Sequence, residues 1–302
     1  MPFLSNTQKS RRGYSYQYKF ALWKILNHLL RGEIKSAHVD FPFGNEGHSL
    51  DLKIVLLKNG GVHVYEVKTG EYFVSDKNEE IGQVLRTSIE FTKEITSGTD
   101  YTVNIIITPD VRPEIIENWR DLITIKVRGK NYKNKNGETH FQVAKRCYRQ
   151  YQIERAKLTT KKFVEFIKFV NLEIGYGYEL QHELDSNTDI EDIIESQVLD
   201  LCKHFKVGSA ETEIPSRTII LELLDVIYQG SEKGSDLVSL LVKVLADALA
   251  RRLLIVQKAQ YLDGRSKEIL LQEEFDIVAK KLSSITKVSI PVSQTAISKA
   301  DI

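Results

Sequence analysis

Cysteine is scarce in this chain. Cys147 and Cys202 are the whole supply in 302 residues, which excludes a disulfide scaffold. The two stand far apart without the short spacings of a zinc site, so both read as ordinary thiols. No apolar run reaches the length of a membrane span, so no membrane partner is expected. The opening MPFLSNTQKSRRG has no apolar stretch resembling a signal peptide, and the expected compartment is a reducing cytoplasm. Internal repeats and low-complexity tracts are absent. So are a phosphate-cradling glycine loop and the G-x-S-x-G elbow of serine hydrolases. Net charge is almost absent too, with 42 Lys+Arg against 41 Asp+Glu. A disordered chain needs low hydrophobicity and high net charge. This one is 42% hydrophobic and 27% charged, the composition of a globular protein with material for one large domain or two ordinary ones.

The balanced total hides an asymmetry. Of the 42 bases and 41 acids, residues 1–150 hold 23 and 17, a balance of +6. That leaves residues 151–302 with 19 and 24, a balance of −5. The most basic stretch is 126–149, where Lys126, Arg128, Lys130, Lys133, Lys135, Lys145, Arg146 and Arg149 face only Glu138. Tyr132, Phe141 and Tyr148 interleave with them. Lys and Arg neutralise phosphates and aromatic rings stack on bases, so the mixture suits nucleic acid. The same residues also describe a solvated basic hairpin with no ligand.

Texture divides the chain in the same place. Tyr16, Phe20, Trp23, Leu26 and Leu30 recur at helical spacing, predicting a helix over 13–30. Short strands are expected near 36–42, at 50–57 and at 62–67, the last two joined by the Asn59-Gly60-Gly61 turn. A helix is predicted over 79–96, then a strand over 101–108 apolar enough to be covered on both faces. A short helix at 114–120 and a strand at 122–127 follow. Beyond about residue 155 the spacing is helical: 161–172, 189–205, 216–228, 236–259 and 266–282. The expectation is an α/β domain over 1–150 and an all-α domain over 151–302 serving assembly or regulation.

Chemistry concentrates in Leu50-Asp51-Leu52-Lys53 and Tyr65-Glu66-Val67-Lys68-Thr69. If the two runs are strands of one hairpin, Asp51 and Glu66 come close. Strand alternation puts Glu66 and Lys68 on one face. An acid and a lysine on a valine-rich strand are costly to bury without partners. Two converging carboxylates form a hard-oxygen site suited to Mg²⁺, and Lys68 could orient a water or offset charge on a phosphate. A surface Glu–Lys pair beside an unrelated Asp is the bland alternative. His48 reads as a polar loop residue. His63 has the wrong parity for the site. Lys53 shares the Asp51 face and would meet phosphate or pair with an acid.

The pattern Asp51…Glu66-Val67-Lys68 resembles the PD-(D/E)XK, or restriction-endonuclease-like, superfamily. Its core runs helix, three-strand meander, helix, strand, compatible with the predicted order. The Arg12-Gly13-Tyr14-Ser15-Tyr16-Gln17 opening with Glu66-Val67-Lys68-Thr69 resembles the effector endonucleases of CBASS- and Lamassu-type anti-phage systems. The resemblance implies a mixed sheet flanked by helices over roughly residues 10–130. It implies a Mg²⁺-dependent DNA endonuclease, with Mn²⁺ as an alternative ion. Asp51, Glu66 and the Val67 carbonyl would be metal ligands and Lys68 the catalytic lysine. Gln17 on the first helix and Gln83 on the helix after the motif would be auxiliary catalytic residues. Lys53, Lys126, Arg128, Lys130, Lys133 and Lys135 would hold DNA. A homo-oligomer and a regulatory protein partner, such as an ATPase, are implied as well. No Pro precedes Asp51, as in many members. The helical tail does not map onto the sensor domain that cyclic-nucleotide effectors carry, which points to a subunit that works with other proteins. A non-catalytic nucleic-acid-binding or assembly subunit and a repair or recombination nuclease remain rival readings.

Overall fold

The computed structural model describes residues 6–43, 48–68, 77–95, 98–107, 113–129, 131–174, 190–205, 216–233, 236–257 and 264–290. The chain divides into two compact units, Met1–Ala21 with His38–Asp189, and Leu22–Ala37 with Ile190–Ile302. The protein is α/β, with a five-stranded mixed sheet.

A long helix, α1 (Asn6–Leu30), opens the chain and leads into β1 (Ile34–Phe43), β2 (His48–Leu56) and β3 (Val62–Lys68). Leu50, Leu52 and Ile54 are fully buried while Asp51, Lys53 and Val55 between them are only partly so, the two-residue period of a strand. Asn59 and Gly60 both take positive φ, 63° and 60°, and the Leu56 N–H donates to the Gly61 carbonyl at 2.8 Å, closing the hairpin. Asn and Gly are the residues that reach this backbone region at least cost.

Next come α2 (Lys77–Glu94), β4 (Tyr101–Ile107), α3 (Pro113–Val127), α4 (His140–Gln150), α5 (Thr160–Ile167) and β5 (Val170–Ile174). The strands lie side by side in chain order. β2 and β3 are antiparallel, whereas β4 and β5 each run parallel to the strand before them. Val103, Asn104, Ile105 and Ile106 are all buried, as expected for a strand covered on both faces. One core joins Ile81, Val84, Leu85 and Ile89 of α2 to Val62, Val64, Val103 and Ile105 of the sheet, and to Trp119 and Leu122 of α3. Burying side chains of this size contributes roughly 1.5–3 kcal/mol each. Gly82 lets α2 approach this core closely. A Cβ there would lie 2.5 Å from the Tyr151 carbonyl oxygen, which Arg86 also engages at 2.7 Å. Thr139 and Gln142 form a reciprocal capping box at the start of α4.

Two segments differ from their sequence pattern. Residues 122–127 are the last turns of α3 and not a strand. Leu-Ile-Thr-Ile-Lys-Val is β-rich, but Trp119, Leu122 and Ile125 recur at a spacing of three and bury together. Residues 161–172 are not one helix: α5 ends at Ile167 and β5 begins at Val170.

The second unit contains α6 (Ile190–His204), α7 (Ser216–Lys233), α8 (Leu237–Gln257) and α9 (Gly264–Thr286). α7 lies against α6 and α8, and α8 against α9. Asp236 starts α8 by accepting from the Val238 N–H at 3.2 Å, a side-chain N-cap.

Candidate active site

The hairpin places the acidic residues. Leu52 lies opposite Tyr65 and Lys53 opposite Val64. Alternation from that register puts Asp51, Lys53, Val64, Glu66 and Lys68 on one face, and His63, opposite Ile54, on the other. The paired register ends at Leu52 and Tyr65. Beyond it the Asp51 carboxylate takes the place of a ladder partner, its Oδ2 accepting from the Val67 N–H at 2.6 Å. The N–H and C=O of one residue in an extended strand leave by the same edge, so the Val67 carbonyl faces the Asp51 side as well.

Asp51 is held by a second donor. Gln17, buried on α1, donates from Nε2 to Asp51 Oδ1 at 2.7 Å. Lys68 completes the group, with Nζ 2.9 Å from Glu66 Oε2 and 3.7 Å from Asp51 Oδ2. The three side chains are unequally exposed: Glu66 4%, Asp51 14% and Lys68 16%. Glu66 is therefore a nearly dry carboxylate beside two largely covered charges. Its Oε1 is buried with no hydrogen-bond partner among the described residues. Burial pushes the Glu66 carboxyl up to about 7; the Lys68 ammonium opposes that and the Asp51 charge adds to it.

Asp51, Glu66, Lys68, Gln17 and the Val67 backbone are thus brought together. Gln83 is not. Ile81, Val84, Leu85 and Ser88 form the buried side of α2, and Gln83 is exposed. Lys53 turns from the carboxylates, its ammonium 3.9 Å from the Phe41 ring centre and 5.9 Å from that of Phe91. Burial lowers its pKa, with Glu94 pulling the other way. Among the described residues no three His, Cys, Asp or Glu side chains are grouped to hold a metal ion. A cation at this site would therefore draw on the two carboxylates, backbone oxygen and water.

The basic segment divides. Lys126 donates to the Val170 carbonyl and to Asn171 Oδ1, each at 2.6 Å, and burial lowers its pKa. It is a structural tie between α3 and β5. Arg128 is exposed, with its guanidinium 5.3 Å from the Tyr132 ring centre. Lys133 and Lys135 are exposed in the turn before α4, and Lys130 lies outside the described residues. Arg146 bonds Asp121 at 2.8 Å and Glu138 at 3.0 Å. Burial pushes the Cys147 thiol up to about 12 and raises that of Cys202, as expected of inert thiols.

One residue of the cluster carries no sequence signal. Asp40 of β1 accepts from Gln17 Nε2 at 3.0 Å on Oδ1, and from the Tyr18 hydroxyl at 3.0 Å on Oδ2. It sits eleven residues before Asp51, outside the hairpin, and only the folded sheet brings it to Gln17.

No family model matches this chain, and no curated protein matches it. Among solved structures, it is similar to the Acinetobacter baumannii Cap4 SAVED/CARF-domain containing receptor with the cyclic trinucleotide 3′3′3′-cAAA. The identity is 12% and the TM-score 0.42, over 80% of this chain and 49% of that one. It is also similar to the Moraxella osloensis Cap4 SAVED/CARF-domain containing receptor, at 12% identity and a TM-score of 0.42, over 93% of this chain and 63% of that one. The chain thus spans less than two thirds of the length of either.

Proposed function

We propose that this chain is a metal-dependent DNA endonuclease with a restriction-endonuclease-like domain, acting as the toxic effector subunit of an anti-phage defence system. The observation that carries the reading is the meeting of Asp51, Glu66 and Lys68 within hydrogen-bond and ion-pair distance at the open end of the β2–β3 hairpin. Lys68 pairs with both carboxylates of this group, which favours catalysis over a non-catalytic binding subunit. The order α1, β1, β2, β3, α2, β4 supports the fold. The defence setting rests on the resemblance carried by Arg12–Gln17 and Glu66–Thr69.

The donor set fits Mg²⁺ or Mn²⁺. Glu66 Oε1 is a dry carboxylate oxygen without a partner among the described residues, and hard divalent cations take oxygen ligands. Asp51, Glu66 and the Val67 carbonyl would hold the ion. Bound there, it would supply Lewis-acid polarisation of the phosphodiester and activation of water. The rest falls to the chain. Gln17 and the Val67 N–H fix the Asp51 carboxylate through separate oxygens. Lys68 holds the attacking water in line with the scissile bond and offsets charge developing on the phosphate. Arg128, Lys133 and Lys135, the exposed bases among the described residues of the six assigned to DNA, hold its backbone. Cutting both strands needs two such sites, so the working form is a dimer or larger assembly. Cleavage of host DNA is lethal unless restrained, which calls for a regulatory partner such as an ATPase.

The test is incubation of the purified chain with plasmid and Mg²⁺, beside EDTA and Lys68→Ala controls. Metal-dependent nicking that falls by about 10²–10³ in the variant is expected, the usual loss on removing a transition-state charge donor. Equal cleavage by folded Lys68→Ala would refute the assignment.

A further inference from the structure

Asp40 has a backbone that a strand residue seldom adopts. Its φ is +48° within β1, a left-handed conformation that disfavours side chains other than Gly, Asn and Asp. Such geometry persists where the surroundings hold it, and it clusters at functional sites. Here the holders are two consecutive residues of α1. Gln17 and Tyr18 each donate to a different oxygen of the Asp40 carboxylate.

Gln17 links that carboxylate to the site. An amide nitrogen has two hydrogens. In Gln17 one meets Asp40 Oδ1 at 3.0 Å and the other meets Asp51 Oδ1 at 2.7 Å. Ionised carboxylates only accept, so the nitrogen must be the end of the amide that faces them. Asp51 Oδ2 is taken by the Val67 N–H. A chain therefore runs from the Tyr18 hydroxyl through Asp40 and Gln17 to Asp51, and each member has its orientation set by the one before.

We propose that Asp40 is a positioning residue for this site. It takes one amide hydrogen of Gln17 so that the other is aimed at Asp51, which fixes the plane of the Asp51 carboxylate. The inference rests on the nuclease reading above, in which Asp51 is a metal ligand. Partners that orient a ligand typically change metal affinity or activity ~10–100-fold when lost.

Two substitutions separate positioning from backbone shape. Asp40→Gly keeps the positive φ without strain and removes the acceptor. Asp40→Asn keeps it, because the amide oxygen can accept from Gln17 while its nitrogen donates to the Tyr18 oxygen. Mn²⁺ binding is measured by titration calorimetry and plasmid cleavage under single-turnover conditions, with thermal unfolding as the check on fold. Asp40→Gly is expected to weaken Mn²⁺ binding and slow cleavage by ~10–100-fold, with DNA affinity unmoved, and Asp40→Asn to stay near wild type. Should Asp40→Gly not fold, Gln17→Met, of similar size and without donors, is expected to show the same loss. Wild-type Mn²⁺ affinity in Asp40→Gly, or an equal loss in Asp40→Asn, overturns positioning alone. A wild-type chain that binds no Mn²⁺ and cuts no DNA overturns both this inference and the nuclease reading.

Discussion

Glu66→Gln tests the electrostatics of the site without any catalytic assay. Glu66 is a 4%-exposed carboxyl pushed up to about 7 from its usual 4.5, chiefly by burial. At roughly 1.4 kcal/mol per pH unit, ionising it in the folded chain costs about 3 kcal/mol at neutral pH. The sign follows from proton counts. Between pH 4.5 and 7 the folded state keeps a proton that the unfolded state releases. Stability therefore falls as pH rises through that window, and the loss is complete above it. Glutamine has the same shape and cannot ionise, so the variant lacks this slope. Its side-chain oxygen can still accept from Lys68, which also keeps Asp51 at 3.7 Å. The Lys68 attraction is already contained in the cost of ionisation, so the variant is expected to be more stable by up to about 3 kcal/mol above pH 7 without divalent cations. The assay is thermal or urea unfolding of both proteins from pH 4.5 to 8 in EDTA, repeated with Mn²⁺. Mn²⁺ should raise the wild-type midpoint above pH 7 more than that of the variant. An unchanged pH slope in Glu66→Gln would refute the claim that Glu66 is the strained group. The gain in stability should accompany loss of cleavage, the trade-off expected where a site keeps a charge the fold disfavours.

Three further variants probe the rest of the first unit. Lys126→Ala should lower the unfolding midpoint, because it removes two bonds to β5, and leave DNA affinity unchanged. Lys133→Ala with Lys135→Ala should weaken DNA binding and reduce the slope of log affinity against log salt by about 2 in fluorescence anisotropy, with no change in melting. Gly82→Ala should destabilise by about 1–3 kcal/mol in urea unfolding, since its Cβ would lie 2.5 Å from the Tyr151 carbonyl oxygen, and a stable variant would show that α2 can shift.

The reach of the sequence is clearest in the β2–β3 hairpin. Alternation of Leu50, Leu52 and Ile54 with Asp51 and Lys53, and the Asn59-Gly60 turn, determine which side chains share a face. The local pattern alone therefore put Glu66 beside Lys68 and within reach of Asp51. The exposure of Gln83 was legible as well, because Ile81, Val84, Leu85 and Ile89 set the phase of α2 and leave position 83 outside. Other features depend on neighbours distant in the chain. β-rich residues 122–127 end a helix because Leu122 and Ile125 bury with Trp119. Five residues of β5 become a strand because β4 offers them a parallel edge. Lys126 is withdrawn from the surface by the Val170 carbonyl and Asn171. Asp40 meets Gln17 across 23 positions, in a backbone conformation that only the folded surroundings can hold. Local periodicity specifies the face a residue occupies. Which charge is dried, which lysine is tied down and which oxygen is left without a partner are set by burial, and burial exists only once distant segments pack.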